Sequence, residues 1–329
     1  MKAAVLNQLD SLPVYGNLPA PVPRNEEQVV IEMKAAALKN LDKLKTYSAY
    51  YAPYETLPTV VGTDGVGALP DGRLVYALGI TGTMAQKALV ATNRYTLLPN
   101  GIDPYLAAAL PNAVLGSAIP LAVRAKMRPG NVIVINGATG ITGKIAVQVA
   151  KHYGASVVVA LGRNEETLRD LKELGADFTV SLNQSDEEIV EQLKSIDQRT
   201  PFDIVIDYLW GKPAELLIQS VVLTGGNPRA SKVKFVTVGD MAGKDISLAS
   251  GTLRSTNISL LGSGFGSLFP RVLQLFNTEI LPEMFNLLAE ERLKMETENI
   301  PLEEIAQAWK AETKGKRLVL TMDGDYGLR

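Results

Sequence analysis

The sequence predicts an α/β protein in which a doubly wound parallel sheet is inserted into a β-rich domain. At 329 residues the chain exceeds one ordinary hydrophobic core, so two domains are expected. Residues 1 to about 110 carry short β-type runs broken by Gly, Pro and Asn. From about residue 130, apolar strands alternate with Gly-rich turns and helices, which is the pattern of a parallel sheet covered on both faces.

Six apolar runs predict the strands of this sheet. Each run is strand-sized and most are rich in Val or Ile, which favours strand over helix. After about residue 262 the pattern changes to helical segments and a final strand, RLVLTM. The six runs lie at 132–136, 156–161, 177–180, 203–207, 234–238 and 257–261.

The helices between these strands are bounded by residues with known capping preferences. Asn164 and Ser185 favour helix starts, and Glu188 completes a capping box with Ser185. Gly154 and Gly175 follow apolar helical stretches and suit the left-handed conformation that ends a helix. Each strand is therefore followed by a helix of defined length.

Composition excludes several classes of function. The formal net charge is -2 with scattered Lys and Arg residues, so no nucleic-acid partner is expected. The chain has no Cys and one His, which removes disulfides and the usual Cys and His metal sites, and no metal is expected. No signal peptide and no apolar run near the roughly 20 residues of a membrane span are seen, so we expect a cytoplasmic protein without membrane contact.

The segment VIVINGATGITGKIAVQVAKHYGA joins a buried strand, a Gly-rich turn and an amphipathic helix. This is the setting of a Rossmann dinucleotide site, in which glycines allow close backbone approach and helix-start amides bind the pyrophosphate. The alternative is an ordinary strand-to-helix turn, which the setting disfavours. The predicted contacts are Ala138, Thr139, Gly140, Ile141, Thr142 and Gly143.

The tip of the second strand predicts which coenzyme binds. NAD sites place an Asp or Glu about 20 residues beyond the glycines to bind the ribose hydroxyls. Here the chain reads Gly162, Arg163 and Asn164, so Gly162 leaves space and the other two offer donors suited to a 2'-phosphate. We therefore predict NADP(H). The alternative is that Arg163 is only a solvated surface residue.

With this turn near the middle of the chain, the sequence resembles the medium-chain dehydrogenase/reductase superfamily, in its zinc-lacking quinone oxidoreductase branch. The matching segments run nearly end to end and include ALKNLDKLK, VVGTDGVG, LKELGAD, FDIVIDYLWG, FVTVGDMAG and LRSTNISLLGSG. The resemblance implies a GroES-like substrate domain formed by residues 1–113 and 258–329. It implies a Rossmann NADP-binding domain at 114–257 and a homodimer paired through the last Rossmann strand.

The resemblance also bears on catalysis. Zinc-dependent relatives have Cys and Gly-His-Glu where this chain has Lys39 and residues 62–64, which implies chemistry without a metal. Lys39 departs from the Asn usual in the branch: either it stabilises charge on the acceptor or donates the proton, or it faces solvent and Asn40 takes the Asn role. Among the clustered tyrosines, Tyr47 and Tyr51 are candidates to face the acceptor, or they fasten the loop.

Further coenzyme contacts follow by matched position. Relatives often carry a Thr near the nicotinamide where this chain has PNAVLGSA, followed by Pro120, which is expected to kink the helix. The two glycine clusters near 239 and 264 have plain loop geometry as their alternative. The matched residues are Asp42, Asn112, Ser117, Tyr208, Leu209, Val238, Gly239, Gly264 and Phe265.

The function implied is transfer of a hydride from NADPH to a quinone or an α,β-unsaturated carbonyl without a metal. Two alternatives stay open: a non-catalytic, crystallin-like or regulatory NADPH-binding protein, and an NADP-dependent ketone or aldehyde reductase. An atypical short-chain reductase or NmrA-like sensor is disfavoured, because those proteins begin with the Gly-rich turn and no Tyr-x-x-x-Lys pair is present.

Overall fold

The computed structural model of the chain describes residues 1–49, 52–222, 232–312 and 315–322. The chain divides into two compact units. The terminal unit comprises Met1–Pro111 and Asn277–Arg329, and the central unit comprises Asn112–Phe276. The second boundary lies after residue 276 rather than at the expected 257, because the strand that follows residue 257 pairs within the central sheet.

Fifteen strands occur in the described part of the chain. They are β1 (Lys2–Leu6), β2 (Val14–Asn17), β3 (Gln28–Ala37), β4 (Thr59–Val60), β5 (Asp64–Ala68), β6 (Leu74–Gly79), β7 (Lys87–Leu97), β8 (Val132–Asn136), β9 (Val157–Gly162), β10 (Phe178–Ser181), β11 (Ile204–Asp207), β12 (Val233–Thr237), β13 (Ile258–Gly262), β14 (Thr297–Pro301) and β15 (Arg317–Thr321).

The helices follow the same chain order. The α-helices are α1 (Asn40–Leu44), α2 (Pro104–Leu115), α3 (Ile141–His152), α4 (Glu165–Glu173), α5 (Asp186–Arg199), α6 (Gly211–Val221), α7 (Ser250–Ser255), α8 (Pro270–Leu275), α9 (Leu281–Ala289) and α10 (Ile305–Ala308). Ile119–Arg124 and Phe276–Ile280 are π-helical, and Phe265–Ser267 and Leu302–Glu304 are 3-10 turns.

The central unit is built on a six-stranded sheet in the order β10-β9-β8-β11-β12-β13, with every pair parallel. All six predicted strands are confirmed within one residue at each end. Strands β8 and β11 are buried along their whole length, as continuous apolar runs require. The strand order reverses beside β8, and ligands of such sheets bind at this switch point.

The predicted caps of the central helices are confirmed. Asn164 accepts a hydrogen bond of 2.9 Å from the third amide of α4, and Ser185 and Glu188 form a reciprocal capping box at the start of α5. Gly154 and Gly175 adopt φ values of 83° and 112° just beyond α3 and α4. These caps fix where each helix begins and therefore where the loops at the strand ends lie.

The terminal unit contains a second six-stranded sheet in the order β14-β15-β3-β5-β6-β7, in which β3 also pairs with β7. Strands β3, β5, β6 and β7 thus close into a ring, and the predicted GroES-like β-rich domain is confirmed. Its core includes Leu6, Ile31, Met33 and Met84, none more than 2% exposed. The predicted final strand is β15, whose Leu318 carbonyl accepts from the Leu38 amide at 2.9 Å.

One long helix is not predicted by the sequence patterns. In the described part of the chain, Pro104–Arg124 forms a 21-residue helix with a mean hydropathy of 1.7, long and apolar enough to cross a membrane by those two criteria. Its most apolar stretch is 67% buried inside the protein, and buried core helices meet the same criteria. The expectation that the chain has no apolar run of this length is therefore wrong. Pro111 and Pro120 interrupt the helical pattern in the sequence, and this is why the run was not recognised. Pro120 does interrupt the α-helix, since Ile119–Arg124 is π-helical.

Candidate functional site

The Gly-rich turn between β8 and α3 is shaped by close backbone contacts. Gly137 has a φ of 91°, which suits glycine. A Cβ at Gly143 would lie 2.3 Å from the Gly137 carbonyl oxygen and 2.6 Å from the Ala138 Cα. Only glycine fits there, and its absence of a side chain lets α3 begin directly against the turn.

The start of α3 presents unpaired amides. Gly140 is its N-cap, and no side chain caps the helix. The first amides of an α-helix have no acceptor within the helix, and the helix dipole places partial positive charge at the same end. A helix of 12 residues that begins at a Gly-rich turn is therefore suited to an anionic group.

Two of the predicted phosphate donors are already engaged, which corrects the expectation for their amides. The Ala138 amide donates to the Leu161 carbonyl at 2.8 Å, and the Ala138 side chain is fully buried. The Gly140 amide donates to the Gly137 carbonyl at 3.3 Å. The candidate donors that remain are the amides of Thr139, Ile141, Thr142 and Gly143.

The tip of β9 differs from expectation at Gly162. A Cβ there would lie 2.4 Å from Thr139 Cγ2 and 2.8 Å from Thr139 Oγ1. The room beside Gly162 is therefore filled by a threonine of the Gly-rich turn and is not open to a phosphate. Arg163 is exposed and its guanidinium forms no ion pair with a described residue. Asn164 also lies at the surface, with its Oδ1 used as the cap of α4.

Asn183 is a neighbour of this tip that sequence reasoning missed. Its side-chain amide donates to the Arg163 carbonyl at 2.7 Å. Parallel pairing of β10 with β9 brings the loop after β10 to this place. No local sequence pattern marks Asn183, because the contact depends on which strand is the neighbour of β9.

Asp207 organises the loop after β11. Its carboxylate is fully buried and accepts hydrogen bonds from the Asn136 side chain at 2.7 Å and from the amides of Leu209 and Trp210. Burial raises the pKa of Asp207, and these donors oppose the rise. Leu209 Cγ lies 3.1 Å from the position of a Cβ on Gly137. The predicted residue Leu209 is thus placed beside the Gly-rich turn.

The side chain of Tyr208 also lies near the Gly-rich turn, where its hydroxyl forms a hydrogen bond. The hydroxyl donates to the carbonyl of Gly116 at 2.8 Å, and a Cβ at Gly116 would lie 2.8 Å from Thr142 Cγ2. Burial raises the pKa of Tyr208, so its hydroxyl stays protonated. Tyr208 therefore links the loop after β11 to the end of α2, and Gly116 there lies close to Thr142 in the first turn of α3.

Other predicted coenzyme contacts fall in varied settings. Asn112 is half-buried on α2. Ser117 is fully buried and its hydroxyl donates to the Ala113 carbonyl at 2.7 Å. Its contact with a coenzyme stays a prediction. The amides of Val238 and Gly239 both donate to the Asp207 carbonyl, at 2.7 and 3.3 Å.

The second glycine cluster lies after β13. Gly264 is exposed, and a Cβ there would meet nothing within 4 Å. The Gly264 amide donates to the Ser267 hydroxyl at 3.0 Å. Phe265 begins the 3-10 turn that follows. These features describe an accessible loop, and its contact with a coenzyme stays a prediction.

In the terminal unit, Lys39 lies in a buried charge cluster formed by Lys39, Asp42, Asp64 and Arg317. Lys39 is 4% exposed, its ammonium bonds to Asp64 Oδ1, and it lies 3.8 Å from Asp42 Oδ2. The interpretation of Lys39 as a solvent-facing residue is therefore wrong. Arg317 is 8% exposed, and its Nε has no hydrogen-bond partner.

Asp42 anchors this cluster. It is fully buried, its Oδ2 accepts from the Lys39 amide at 3.1 Å, and its Oδ1 accepts from the Thr63 amide at 3.1 Å and hydroxyl at 2.8 Å. Both oxygens are engaged inside the terminal unit. Asp42 therefore anchors this part of the terminal unit, and its contact with a coenzyme stays a prediction.

The charge state of Lys39 follows from its partners. Burial alone lowers the pKa of Lys39, but the nearby carboxylates of Asp42 and Asp64 outweigh burial and leave the pKa raised. The side chain therefore remains an ammonium at neutral pH. Both catalytic roles predicted for Lys39 start from this protonated form, and the choice between them stays a prediction.

The remaining catalytic candidates lie around this cluster in sequence. Asn40 is the first residue of α1 and is exposed, and Tyr47 is 52% exposed. Tyr51 lies outside the described residues. Tyr54, which was not singled out, is half-buried, and its hydroxyl accepts from the Gly62 amide at 3.0 Å. Tyr54 thus fastens the loop, which is the alternative foreseen for these tyrosines.

Comparison with known proteins indicates a family for the chain. A family profile described as zinc-binding dehydrogenase matches residues 142–278. A probable NADPH-dependent quinone reductase of Emericella nidulans is 27% identical over 94% of this chain and 96% of its own. These similarities support a place for the chain in the medium-chain dehydrogenase/reductase superfamily, in its quinone oxidoreductase-like branch.

Two further members illustrate the breadth of this branch. An NADPH-dependent alkenal/one oxidoreductase of Arabidopsis thaliana chloroplasts is 32% identical over 63% of this chain and 57% of its own. The crystal structure of a quinone oxidoreductase from Thermus thermophilus, also solved with NADPH, covers 98% of this chain and 100% of its own. Its TM-score is 0.79 at 26% identity.

The chain has no Cys and one His. The resemblance implies that Lys39 and residues 62–64 stand where zinc-dependent relatives have their ligands, and this correspondence stays a prediction. Within the described ranges, no group of three or more His, Asp or Glu side chains is placed to hold a metal ion. A cation is nevertheless present at this place, since Lys39 lies between two carboxylates.

Proposed function

We propose that this protein is an NADPH-dependent oxidoreductase that reduces a quinone or an α,β-unsaturated carbonyl compound without a metal. The observation that carries the proposal is the central site, where the uncapped start of α3 adjoins a β9 tip with an exposed Arg163 and no carboxylate. Relatives named as NADPH-dependent quinone and alkenal/one reductases support the same reaction class.

The residues present fit the coenzyme. The Gly137 to Gly143 turn packs the start of α3 directly against the end of β8, because a Cβ at residue 143 would lie 2.3 Å from the Gly137 carbonyl oxygen. The free amides of the first turn of α3 suit the pyrophosphate, and the Arg163 guanidinium suits the 2'-phosphate. Asn183 donates to the Arg163 carbonyl at 2.7 Å and so ties the Arg163 backbone to the loop after β10.

NADPH, when bound, supplies a hydride to the electron-poor carbon of the acceptor, and one proton completes the two-electron reduction. The residues of the central unit bind and orient the coenzyme. In the terminal unit, Lys39 keeps its proton and contributes a fixed positive charge, neutralised in part by Asp64. We propose Tyr47 or water as the source of the proton, because the Tyr47 hydroxyl is accessible.

The experiment is NADPH oxidation measured against benzoquinones, naphthoquinones, enals, enones and saturated ketones. We expect turnover with a quinone or an enone and little with saturated ketones. Turnover of saturated ketones alone would indicate a carbonyl reductase instead. Tight NADPH binding without turnover over the whole panel would make it a non-catalytic coenzyme-binding protein, and calorimetry with no heat from either coenzyme would remove the assignment altogether.

We further propose a cytoplasmic homodimer that pairs through β13. This strand is the edge of the central sheet and its Leu260 is 37% exposed, so a second strand would satisfy its open backbone groups and cover apolar surface. Light scattering tests the dimer, and a monomer at working concentration would contradict it. Cell fractionation tests the location.

A further inference from the structure

Residue 162 faces the Gly-rich turn. The Cβ position of Gly162 lies 2.4, 2.8 and 3.1 Å from Cγ2, Oγ1 and Cβ of Thr139. Gly162 is the last residue of β9, and its φ lies outside the left-handed region. A side chain at residue 162 would therefore be unstrained in its backbone and would point directly at Thr139.

Thr139 cannot turn aside. Its side chain is β-branched, and two of its three staggered γ positions lie within contact of the Gly162 Cβ position. Threonine has two γ heavy atoms for three staggered positions. Every rotamer therefore leaves at least one γ atom in one of the two positions that contact the Gly162 Cβ position. Relief would require movement of the turn backbone, which is fixed on one side by the amides of Gly137 and Ala138 bonded to Leu161.

Residue 162 is also where a carboxylate would be needed for the non-phosphorylated coenzyme. NAD sites place an Asp or Glu about 20 residues beyond the glycines, at the end of the second strand and facing the turn, to bind the ribose hydroxyls. Gly162 is the residue of this chain that meets that description, because its Cβ direction faces the turn. Arg163, one residue on, lies at the exposed surface.

We propose that Thr139 determines coenzyme specificity by occupying the space that a ribose-binding carboxylate at residue 162 would need. This inference rests on the proposed use of NADPH. Preference for the phosphorylated coenzyme then has two independent sources. Arg163, held by Asn183, attracts the 2'-phosphate, and Thr139 keeps an acidic residue out of position 162. A change to NADH use requires substitution at both 139 and 162.

The test is a double-mutant cycle with Gly162→Asp and Thr139→Ala. Alone, Gly162→Asp is expected to lower the melting temperature and to weaken both coenzymes, because the new side chain displaces the turn. With Thr139→Ala added, both γ contacts are removed and only the 3.1 Å contact with the Cβ of residue 139 remains, so most of the lost melting temperature is expected to return. The double variant is then expected to bind NADH about tenfold or more tightly than the native protein does, since the carboxylate meets the ribose hydroxyls.

Thr139→Val supplies the matched control, since valine keeps both γ atoms and removes only the hydroxyl. Thr139→Val with Gly162→Asp is expected to behave like Gly162→Asp alone. The inference is overturned if Gly162→Asp by itself is stable and binds NADH as well as the double variant, or if Thr139→Val rescues it as fully as Thr139→Ala.

Failure of this inference can be told apart from failure of the proposed function. The melting temperatures of the cycle are measured without coenzyme, so they report the contact between residues 139 and 162 whatever the protein binds. If the native protein binds neither coenzyme, the proposed function is wrong, and the proposed role of Thr139 in coenzyme specificity is wrong with it. If the native protein binds NADPH but the melting-temperature changes of the two single variants simply add in the double variant, only the proposed role of Thr139 is wrong.

Discussion

The hydroxyl of Tyr208 donates a 2.8 Å hydrogen bond to the carbonyl oxygen of Gly116. Tyr208 follows β11, whereas Gly116 lies just beyond α2, and a Cβ at Gly116 would lie 2.8 Å from Thr142 Cγ2. The bond therefore ties the loop after β11 to the end of α2, close to the first turn of α3 where the pyrophosphate is proposed to bind.

Tyr208→Phe removes this bond and leaves the Gly116 carbonyl without its partner. We expect a loss of about 1–3 kcal/mol in the free energy of unfolding, together with weaker NADPH binding. Chemical denaturation and calorimetric titration measure the two effects. Tyr47→Phe is the control, because Tyr47 is 52% exposed and its variant should keep native stability. Equal stability of the two variants would contradict the proposed role of the bond.

Gly143→Ala places a methyl group 2.3 Å from the Gly137 carbonyl oxygen. The backbone must move, so we expect a destabilisation of about 3 kcal/mol or more and loss of NADPH binding. Gly251→Ala is the matched control in α7, where a Cβ meets nothing within 4 Å. That variant should be neutral or more stable by up to about 1 kcal/mol. Thermal unfolding and calorimetry compare the pair, and native-like NADPH affinity in Gly143→Ala would count against the turn.

Lys39→Met leaves the buried carboxylates of Asp42 and Asp64 without their ammonium. We expect a loss of about 3–5 kcal/mol in the free energy of unfolding. Lys87→Met is the control, because its pair with Glu32 is 4.0 Å long and exposed, and it should change stability by less than about 1 kcal/mol. Denaturation of both variants measures the difference, and similar stability would show that the buried cluster is dispensable.

The contribution of Lys39 should depend on pH in one direction only. Its folded pKa is raised above the ordinary 10.5, so the stabilisation is fully present below that value and is lost as pH rises through the higher folded pKa. The stability gap between native protein and Lys39→Met should therefore stay constant from neutral to mildly alkaline pH and shrink only in strongly alkaline solution. A gap that closes already in mildly alkaline solution would contradict the raised pKa.

Removal of metal ions should leave turnover unchanged. The Lys39 ammonium already bonds to Asp64 and lies 3.8 Å from Asp42, so a divalent cation would have to displace a tethered positive charge. Dialysis against a chelator, followed by elemental analysis and an NADPH oxidation assay, tests this expectation. Activity that disappears with the chelator and returns with zinc would end the metal-free proposal.

The central sheet could be predicted closely because its signals are local. Continuous apolar runs fixed β8 to β13 within one residue, and Asn164 and Ser185 marked their helix starts by side-chain chemistry that acts over three residues. The long helix over Pro104–Arg124 was missed, because two prolines interrupt its pattern while burial and a π-helical segment accommodate them.

The site was predicted less completely because its contacts join distant parts of the chain. Gly162 was expected to leave room for a phosphate, but Thr139 fills that room, and the expected donor Ala138 uses its amide on β9. Lys39 was correctly marked as unusual, yet its buried ion pair depends on Asp64, which lies 25 residues further along the chain at the start of β5. Pairings of this kind are set by tertiary structure and leave no periodic trace in the sequence.

The carbonyl oxygen of Leu161 accepts two amides of the Gly-rich turn, from Gly137 at 3.0 Å and Ala138 at 2.8 Å. The turn is thereby attached to β9, whose outer neighbour is only the short edge strand β10. Local unfolding of β10 would displace Leu161 in β9. The Gly-rich turn, which is hydrogen-bonded to Leu161, would then be distorted. Coenzyme affinity and local opening of β10 are consequently linked, so bound NADPH should slow hydrogen exchange in a strand it does not touch.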